Sequence, residues 1–215
     1  MYDSDKDPAF KAERREKILS TAFRIFSERK IDEVSMEEIA RESGCGRRTL
    51  NRYFDNKHVL VVAVSAWGFE RFRVENISRR PSIDFGGMAA AGIYEFLLDS
   101  FLELYRSRKD LLRFNQFFNV YIRSEKIDKD TLKPYQGIML GIREQFHKVY
   151  LLGGKDGTLR TDIPEEEMFS TTLHLMLAAV TRYAIGLVYI PGKDFDAMSE
   201  LVRLKDMLMR EFCYQ

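Results

Sequence analysis

Cysteine, proline and tryptophan are scarce in this chain, at two, five and one in 215 residues. Cys45 and Cys213 lie far apart and offer no metal-ligand spacing, which excludes a zinc-built or disulfide-built scaffold. Cys45 is expected as a small core residue in its turn, with a redox sensor as the sharper alternative. Few prolines and no alternating apolar–polar runs argue against a strand-built fold. Charge of one sign is also missing. The net charge is +1, and residues 1–60 are themselves nearly neutral, so nucleic-acid binding would need charge concentrated locally. Residues 1–10 are acidic and polar and lack the apolar core of a secretory leader, so a reducing cytoplasm is the expected compartment. His58, His147 and His174 are scattered, and no nucleophile motif or carboxylate pair stands out. No enzyme is expected, nor a cofactor or metal site. Asp84-Phe85-Gly86 echoes the kinase metal-binding tripeptide without a phosphate loop, lysine strand or catalytic loop beside it. Gly153-Gly154-Lys155-Asp156-Gly157 lacks phosphate-loop spacing and is expected as a turn.

What is present is helical. Hydrophobic residues make up 45% and charged ones 31%, a globular balance with enough apolar material for a substantial core. The stretch from Ser35 to Phe54 reads as two short helices joined by a tight turn. Ser35 caps the first, with Glu38 three residues on completing a capping box. Met36, Ile39 and Ala40 share one face, and Gly44 stands where the first helix must stop. The second helix turns Leu50 and Phe54 inward and leaves Arg47, Arg48, Thr49, Asn51 and Arg52 outside. Three arginines, an amide and a hydroxyl with no acid suit a recognition helix: arginine matches guanine edges, asparagine matches adenine, and either reaches phosphate. An ordinary helical corner with a basic outer face is the plainer reading. Asp55-Asn56-Lys57 then opens another helix.

These blocks resemble the tetracycline-repressor (TetR) family of bacterial transcriptional regulators. The resemblance runs from Ala22-Phe23-Arg24-Ile25-Phe26 through Ser35–Ala40, Ser43-Gly44 and Thr49-Leu50 to Tyr53-Phe54-Asp55-Asn56-Lys57 and Leu60, about the first quarter of the chain. It implies a three-helix DNA-binding head, an all-helical ligand-binding body and a homodimer. Asn51 departs from the family's usual aromatic, Arg48 from its usual small residue, and Lys30 from its usual turn glycine. Those departures bear on base preference and phosphate contacts rather than on fold.

Upstream, Ile18, Leu19, Ala22, Phe23, Ile25 and Phe26 form the inward stripe of a first helix whose start carries Lys11, Arg14, Arg15 and Lys17, either a solvated face or a phosphate-contacting one. Downstream, a long helix from Lys57 to about Arg80 carries Trp67 and Phe72, and Arg80 to Gly87 reads as a loop. Helices follow over Met88–Arg106, Leu111–Arg123 and Leu132–Leu152. Asp162-Ile163-Pro164 with three following glutamates reads as a helix start. The helix it opens includes Leu173–Ile190, whose apolar length invites a membrane span. Arg182, Thr181 and Gly186 argue against lipid and for burial on two sides, by its own core and by a partner chain. The last helix, Phe195–Phe212, carries a Leu201-Leu204-Leu208 seam. These final two helices are the expected dimer interface.

The expected architecture is all-α, with a helix-turn-helix head at 1–57 and a ligand-binding and dimerisation body at 58–215. Most aromatic rings belong to an ordinary helical core. Trp67, Phe101, Tyr105, Phe117, Phe118, Tyr121, Phe146 and Met176 are the candidates to line an apolar pocket, with Asn115, Gln116 or His147 as polar anchors. For DNA the candidates are Arg47, Arg48, Thr49, Asn51 and Arg52, with Ser35, Tyr53 and Lys57 on phosphates. The functional expectation is a cytoplasmic, dimeric, effector-released repressor that binds a palindromic double-stranded operator and no membrane. The alternative is a dimeric helical small-molecule-binding or protein-interaction module without specific DNA readout.

Overall fold

The computed structural model describes residues 7–79, 85–188, 192 and 195–214. Among them the chain forms nine α-helices: α1 (Pro8–Glu28), α2 (Met36–Glu42), α3 (Arg47–Tyr53), α4 (Lys57–Ser78), α5 (Ala90–Ser107), α6 (Lys109–Ser124), α7 (Lys129–Asp156), α8 (Glu165–Ala184) and α9 (Ala197–Phe212). The all-helical expectation holds. Local chemistry sets the starts of several. Asp7 accepts from the Ala9 N–H at 2.9 Å, with Pro8 as first helical residue. Asp196 likewise accepts from Met198 and Ser199 at the head of α9. No helix among the described residues is long and apolar enough to cross a membrane.

The residues gather into two compact units. The first is Met1–Arg71 with Arg113–Ile138. Its core takes the predicted stripe of α1: Ile18, Leu19, Ala22 and Phe26 are fully buried, as are Ile39, Leu50 and Leu60. Burying each of the larger side chains stabilises by about 1.5–3 kcal/mol. Aromatic rings then link segments distant in sequence. Phe23 lies 5.6 Å from Trp67 and 5.5 Å from Phe114, and Phe118 lies 5.8 Å from Phe114 and 4.9 Å from Tyr135.

The second unit is Phe72–Leu112 with Met139–Gln215. Here α5 packs against α8 and α9, which also pack against each other. Tyr94 sits fully buried at the centre, edge-on to Phe146 and Phe212, and its hydroxyl shares a 2.7 Å hydrogen bond with Thr172. Lys205 of α9 reaches Glu95 at 2.9 Å and Asp99 at 2.6 Å on α5. The start of α5 has no cap of its own. Asp156, the last residue of α7, accepts the Ala90 N–H at 2.7 Å, and Thr158, just past it, accepts the Ala91 N–H at 3.0 Å. Leu159 forms a bridge with Cys213, flanked by Arg160 N–H to Phe212 carbonyl at 2.9 Å and Tyr214 N–H to Thr158 carbonyl at 3.1 Å.

Several boundaries differ from expectation. Gly153 to Asp156 are helical, and only Gly157, at φ +72°, turns. Gly153 is there for space: a Cβ would stand 2.6 Å from the Leu159 Cβ. Asp162 does not cap α8. It pairs with Arg160 at 3.0 Å, and Pro164 holds the cap position. α8 stops at Ala184 rather than continuing to Ile190, because Gly186 at φ +77° lets Leu187 N–H bond back to the Arg182 carbonyl at 3.1 Å. Residues 189 and 190, like most of the expected loop at Arg80–Gly87, including Asp84 of the kinase-like tripeptide, lie outside the described residues. Of the Leu201-Leu204-Leu208 seam, Leu201 and Leu208 are buried in their own unit's core and Leu204 is half-buried. What α8 and α9 leave outside is Leu175, 46% exposed, Val202, 39%, and Met207, 58%.

Candidate nucleic-acid interface

The site is built by α2, the turn after it, and α3. Ser35 accepts the Glu38 N–H at 3.1 Å, as its sequence position predicts. Arg29 holds Glu38 at 2.6 Å and donates to the Glu33 carbonyl at 3.3 Å, which ties the end of α1 to the start of α2. The turn is set by Gly44 at φ +70°, where a side chain would be strained. Cys45 N–H bonds back to the Ala40 carbonyl at 2.9 Å and Gly44 N–H to the Arg41 carbonyl at 3.1 Å, the paired bonds of a helix stop. Ser43 is buried and donates to the Ile39 carbonyl at 2.7 Å. Cys45, expected in the core, is only half-buried, 3.4 Å from the Ser43 hydroxyl. It sits two residues past the buried Ser43, with the exposed Gly44 between them.

On α3, Leu50 is fully buried and Phe54 nearly so, and this fixes which side faces out. Arg48, Asn51 and Arg52 are exposed, while Arg47, Thr49 and Tyr53 are half-buried. Arg47 is held by a neighbour that the sequence did not reveal: its Nε lies 3.1 Å from the Glu37 carboxylate on α2, and its buried Nη1 makes no hydrogen bond. An ion pair this exposed is worth about 0–1 kcal/mol, so a base edge could displace Glu37 readily. The Tyr53 hydroxyl is buried without a hydrogen-bond partner, and the Arg52 guanidinium lies 5.9 Å from the Tyr53 ring. Arg15 of α1 lies 5.5 Å from the Phe54 ring, so this member of the basic α1 cluster flanks α3.

Lys57 opens α4 half-buried. Its Nζ donates to the Asp32 carbonyl at 3.3 Å and sits 5.7 Å from the centre of the Tyr121 ring. Burial lowers its pKa from the ordinary lysine value, against the opposing pull of Asp32 and Glu125. Tyr121 is 2% exposed, and its hydroxyl shares a 2.8 Å hydrogen bond with His58 Nδ1. Burial, with the charges of Glu125 and Asp32, raises the pKa of that phenol, so it stays protonated.

The pocket candidates divide between the two units. Trp67, Phe117, Phe118 and Tyr121 are in the first; Phe101, Tyr105, Phe146 and Met176 are in the second. Trp67 donates to Glu16 at 2.8 Å, and Arg71 meets the same carboxylate at 2.8 Å. Phe118 and Met176 are fully buried, and Phe146 packs 5.2 Å from Phe169. Tyr105 carries the Lys109 ammonium 4.6 Å above its ring. Of the polar anchors, Asn115 is buried, Gln116 is half-buried and His147 is exposed on α7, 2.8 Å from Glu165. His147 lies along an open groove of about 550 Å³ lined by Leu140, Arg143, Glu144, Lys148, Glu165 and Glu166. That groove is charged, not aromatic.

Comparison with known proteins places this geometry. Residues 18–64 match the model of the bacterial regulatory proteins, tetR family. An uncharacterized HTH-type transcriptional regulator of Mycobacterium tuberculosis is 44% identical over 48 residues, 22% of this chain and 24% of that relative. The match thus spans about a quarter of the relative's length. Over most of the chain the likeness is one of fold. A protein from Saccharomonospora viridis, described as a transcriptional regulator and solved with choline, superposes with a TM-score of 0.70 at 18% identity, covering 95% of this chain and 100% of that one. A TetR-family protein from Rhodococcus sp. gives 0.70 at 17% identity, over 92% and 99%. The ketosteroid transcriptional regulator KstR2 of Mycobacterium tuberculosis gives 0.61 at 17%, over 94% and 96%.

Proposed function

Because residues 18–64 match the model of the bacterial regulatory proteins, tetR family, we propose that this chain is a dimeric DNA-binding repressor of that kind, released from its operator by a small apolar or aromatic effector. The observation that carries the DNA reading is α3 itself. Its apolar edge is locked down by Leu50 and Phe54, so Arg48, Asn51 and Arg52 stand in solvent with Arg47 beside them. Arg47, Arg48 and Asn51 read bases, with Thr49 and Arg52 at their flanks, while Ser35, Tyr53 and Lys57 hold phosphates. Ser35 spends an acceptor on its cap, and its hydroxyl proton is still available to a phosphate oxygen. Functionally, residues 1–57 are the reading head and 58–215 the sensing and dimerising body, in the cytoplasm where the DNA is.

Dimerisation rests on the outer faces of α8 and α9, where Leu175, Val202 and Met207 stand exposed. Two heads so joined would meet major-groove faces about 34–36 Å apart on a near-palindromic site. The effector would act through helices such as α4, which begins beside α3 and whose residues after Arg71 belong to the second compact unit. It must bind the DNA-incompetent arrangement more tightly. A coupling of about 1–3 kcal/mol would weaken operator binding roughly 5–150-fold. Choline and ketosteroid are named for structural neighbours; for this chain they define small organic molecules as the class to screen.

The test is in vitro selection from a random duplex library, followed by anisotropy titration of the recovered duplex against a scrambled one. Arg47→Ala should cost about 1–3 kcal/mol on the selected site alone. Binding selected and scrambled DNA equally would leave the helical module without specific readout as the better description.

A further inference from the structure

We propose that Tyr121, on α6, is a positioning residue for DNA binding: its ring holds the Lys57 ammonium at the entrance of α4, ready for a phosphate. The inference rests on the DNA-binding reading above and goes beyond it. It assigns a role in the head to a side chain more than sixty residues away in sequence, one whose residue type and helical spacing suggested a pocket wall.

Three observations converge. Tyr121 is 2% exposed, so its ring already has its neighbours within the unit that contains the head. Its hydroxyl is bonded to His58 at 2.8 Å, which fixes the ring's orientation against the first turn of α4. The Lys57 ammonium lies 5.7 Å from the ring centre, within the range where a ring face attracts a cation. A free lysine on an exposed helix start would sample many rotamers, and ordering it on DNA would cost about 1–2 kcal/mol of side-chain entropy. Here that ordering is done beforehand. The Asp32 carbonyl takes one of the three ammonium N–H donors at 3.3 Å. The other donors are left for an incoming oxygen. The half-buried ammonium is also short of water, so a phosphate would restore solvation that the fold has removed. Glu125 and Asp32 are the acidic groups whose charges act on both Lys57 and Tyr121, and at Lys57 they oppose the lowering of its pKa by burial.

The arrangement makes α6 a direct support of the DNA-contacting end of α4. Any event that displaces Tyr121 loosens Lys57 without first moving the length of α4.

The test uses the full-length protein and the duplex recovered by in vitro selection, titrated by anisotropy across a salt series. Four variants are compared with the parent: Lys57→Ala, Tyr121→Leu, Tyr121→Phe and the double Lys57→Ala/Tyr121→Leu. Removing a phosphate contact lowers the slope of log affinity against log salt by about one. Tyr121→Leu should do this despite touching no DNA. It should also weaken binding about two- to thirtyfold, the range of cation–π attraction from exposed to desolvated sites. In the Lys57→Ala background it should add nothing further, since the group it positions is gone. Tyr121→Phe keeps the ring and should recover most of the affinity and the full slope. If Tyr121→Leu does not give a folded protein by circular dichroism, Tyr121→Met takes its place. An unchanged slope, losses that multiply in the double variant, or a Phe variant as impaired as the Leu variant would overturn the assignment. Failure of the parent protein to select any duplex would instead remove the DNA-binding reading, and this inference with it.

Discussion

The adjacent glycines near the end of α7 give opposite responses to the same methyl group. A Cβ on Gly153 would lie 2.6 Å from the Leu159 Cβ, 2.7 Å from its Cγ and 2.8 Å from its Cδ1. On Gly154 the nearest atom is the Thr161 Cγ2 at 3.7 Å, an ordinary contact. Both residues are helical, so alanine at either gains about 0.5–1 kcal/mol of helix propensity. At Gly153 the overlap opposes that gain. Leu159 is 1% exposed and its backbone is bridged to Cys213, so it cannot swing aside without breaking the pairing of the chain's end. Overpacking of this kind costs about 1–3 kcal/mol. Gly154→Ala should therefore stabilise by about 0.5–1 kcal/mol, and Gly153→Ala should fall below it by about 1–3 kcal/mol. In a chain of this size that difference is roughly 2–12 °C in Tm. Thermal melts of both variants at one protein concentration, followed by circular dichroism, measure it. Equal or higher stability for Gly153→Ala would refute the close approach on which the reasoning depends.

Asp156→Ala should destabilise by about 0.5–2 kcal/mol at neutral pH, the usual loss when a helix cap is removed. Burial works against the charge of Asp156, but its hydrogen bonds with Ala90 and Thr158 outweigh this and hold the carboxyl below its usual range. That contribution is complete above pH about 4 and fades as pH falls through the lower folded value, so the denaturant midpoints of parent and variant should converge in strong acid. Glu37→Gln frees Arg47 from its 3.1 Å partner and should tighten binding to the selected duplex by up to about fivefold; weaker binding in anisotropy would mean that Glu37 orients Arg47 productively instead. Leu175→Asp, on the exposed face of α8, should turn a dimer into a folded monomer by light scattering. Leu208→Asp should unfold the chain, because it buries an unpaired charge that costs several kcal/mol; a folded monomer from that variant would place Leu208 at the interface after all.

The helix-turn-helix was legible because its instructions are local. Ser35 caps within three residues, Gly44 stops a helix with bonds five residues long, and Leu50 and Phe54 declare the inner side of α3 by spacing alone. Gly186 carried the same stop signal as Gly44, but the apolar run continuing past it hid the end of α8. Where the deciding partner is distant, the sequence misled. Gly153-Gly154 looked like a turn because the reason for Gly153 is Leu159, on the far side of that turn. The leucines of α9 showed that one face is apolar without showing whose core it meets, and it meets its own. The contacts of Tyr121 with His58 and Lys57 could not be read either, because nothing near it in sequence mentions them. Glu37 escaped notice as one more acid in a first turn.

The borrowed cap of α5 also sets a clock. Ala90 receives its partner from a residue 66 positions later in the chain. At translation rates of about 5–20 residues per second, those residues arrive roughly 3–13 s after Ala90 is made. Through that interval the first turn of α5 lacks the partners that cap it in the folded chain, while α1 and α2, capped by Asp7 and Ser35, already have theirs. Tyr94, at the heart of the second unit, lies one turn along α5 and must wait for Phe146, Thr172 and Phe212 as well. Later positions of α5 wait longer still, Tyr94 for Phe212 and Asp99 for Lys205. Hydrogen exchange at Ala90 and Ala91 in a chain cut short before Asp156 would show those amides unprotected.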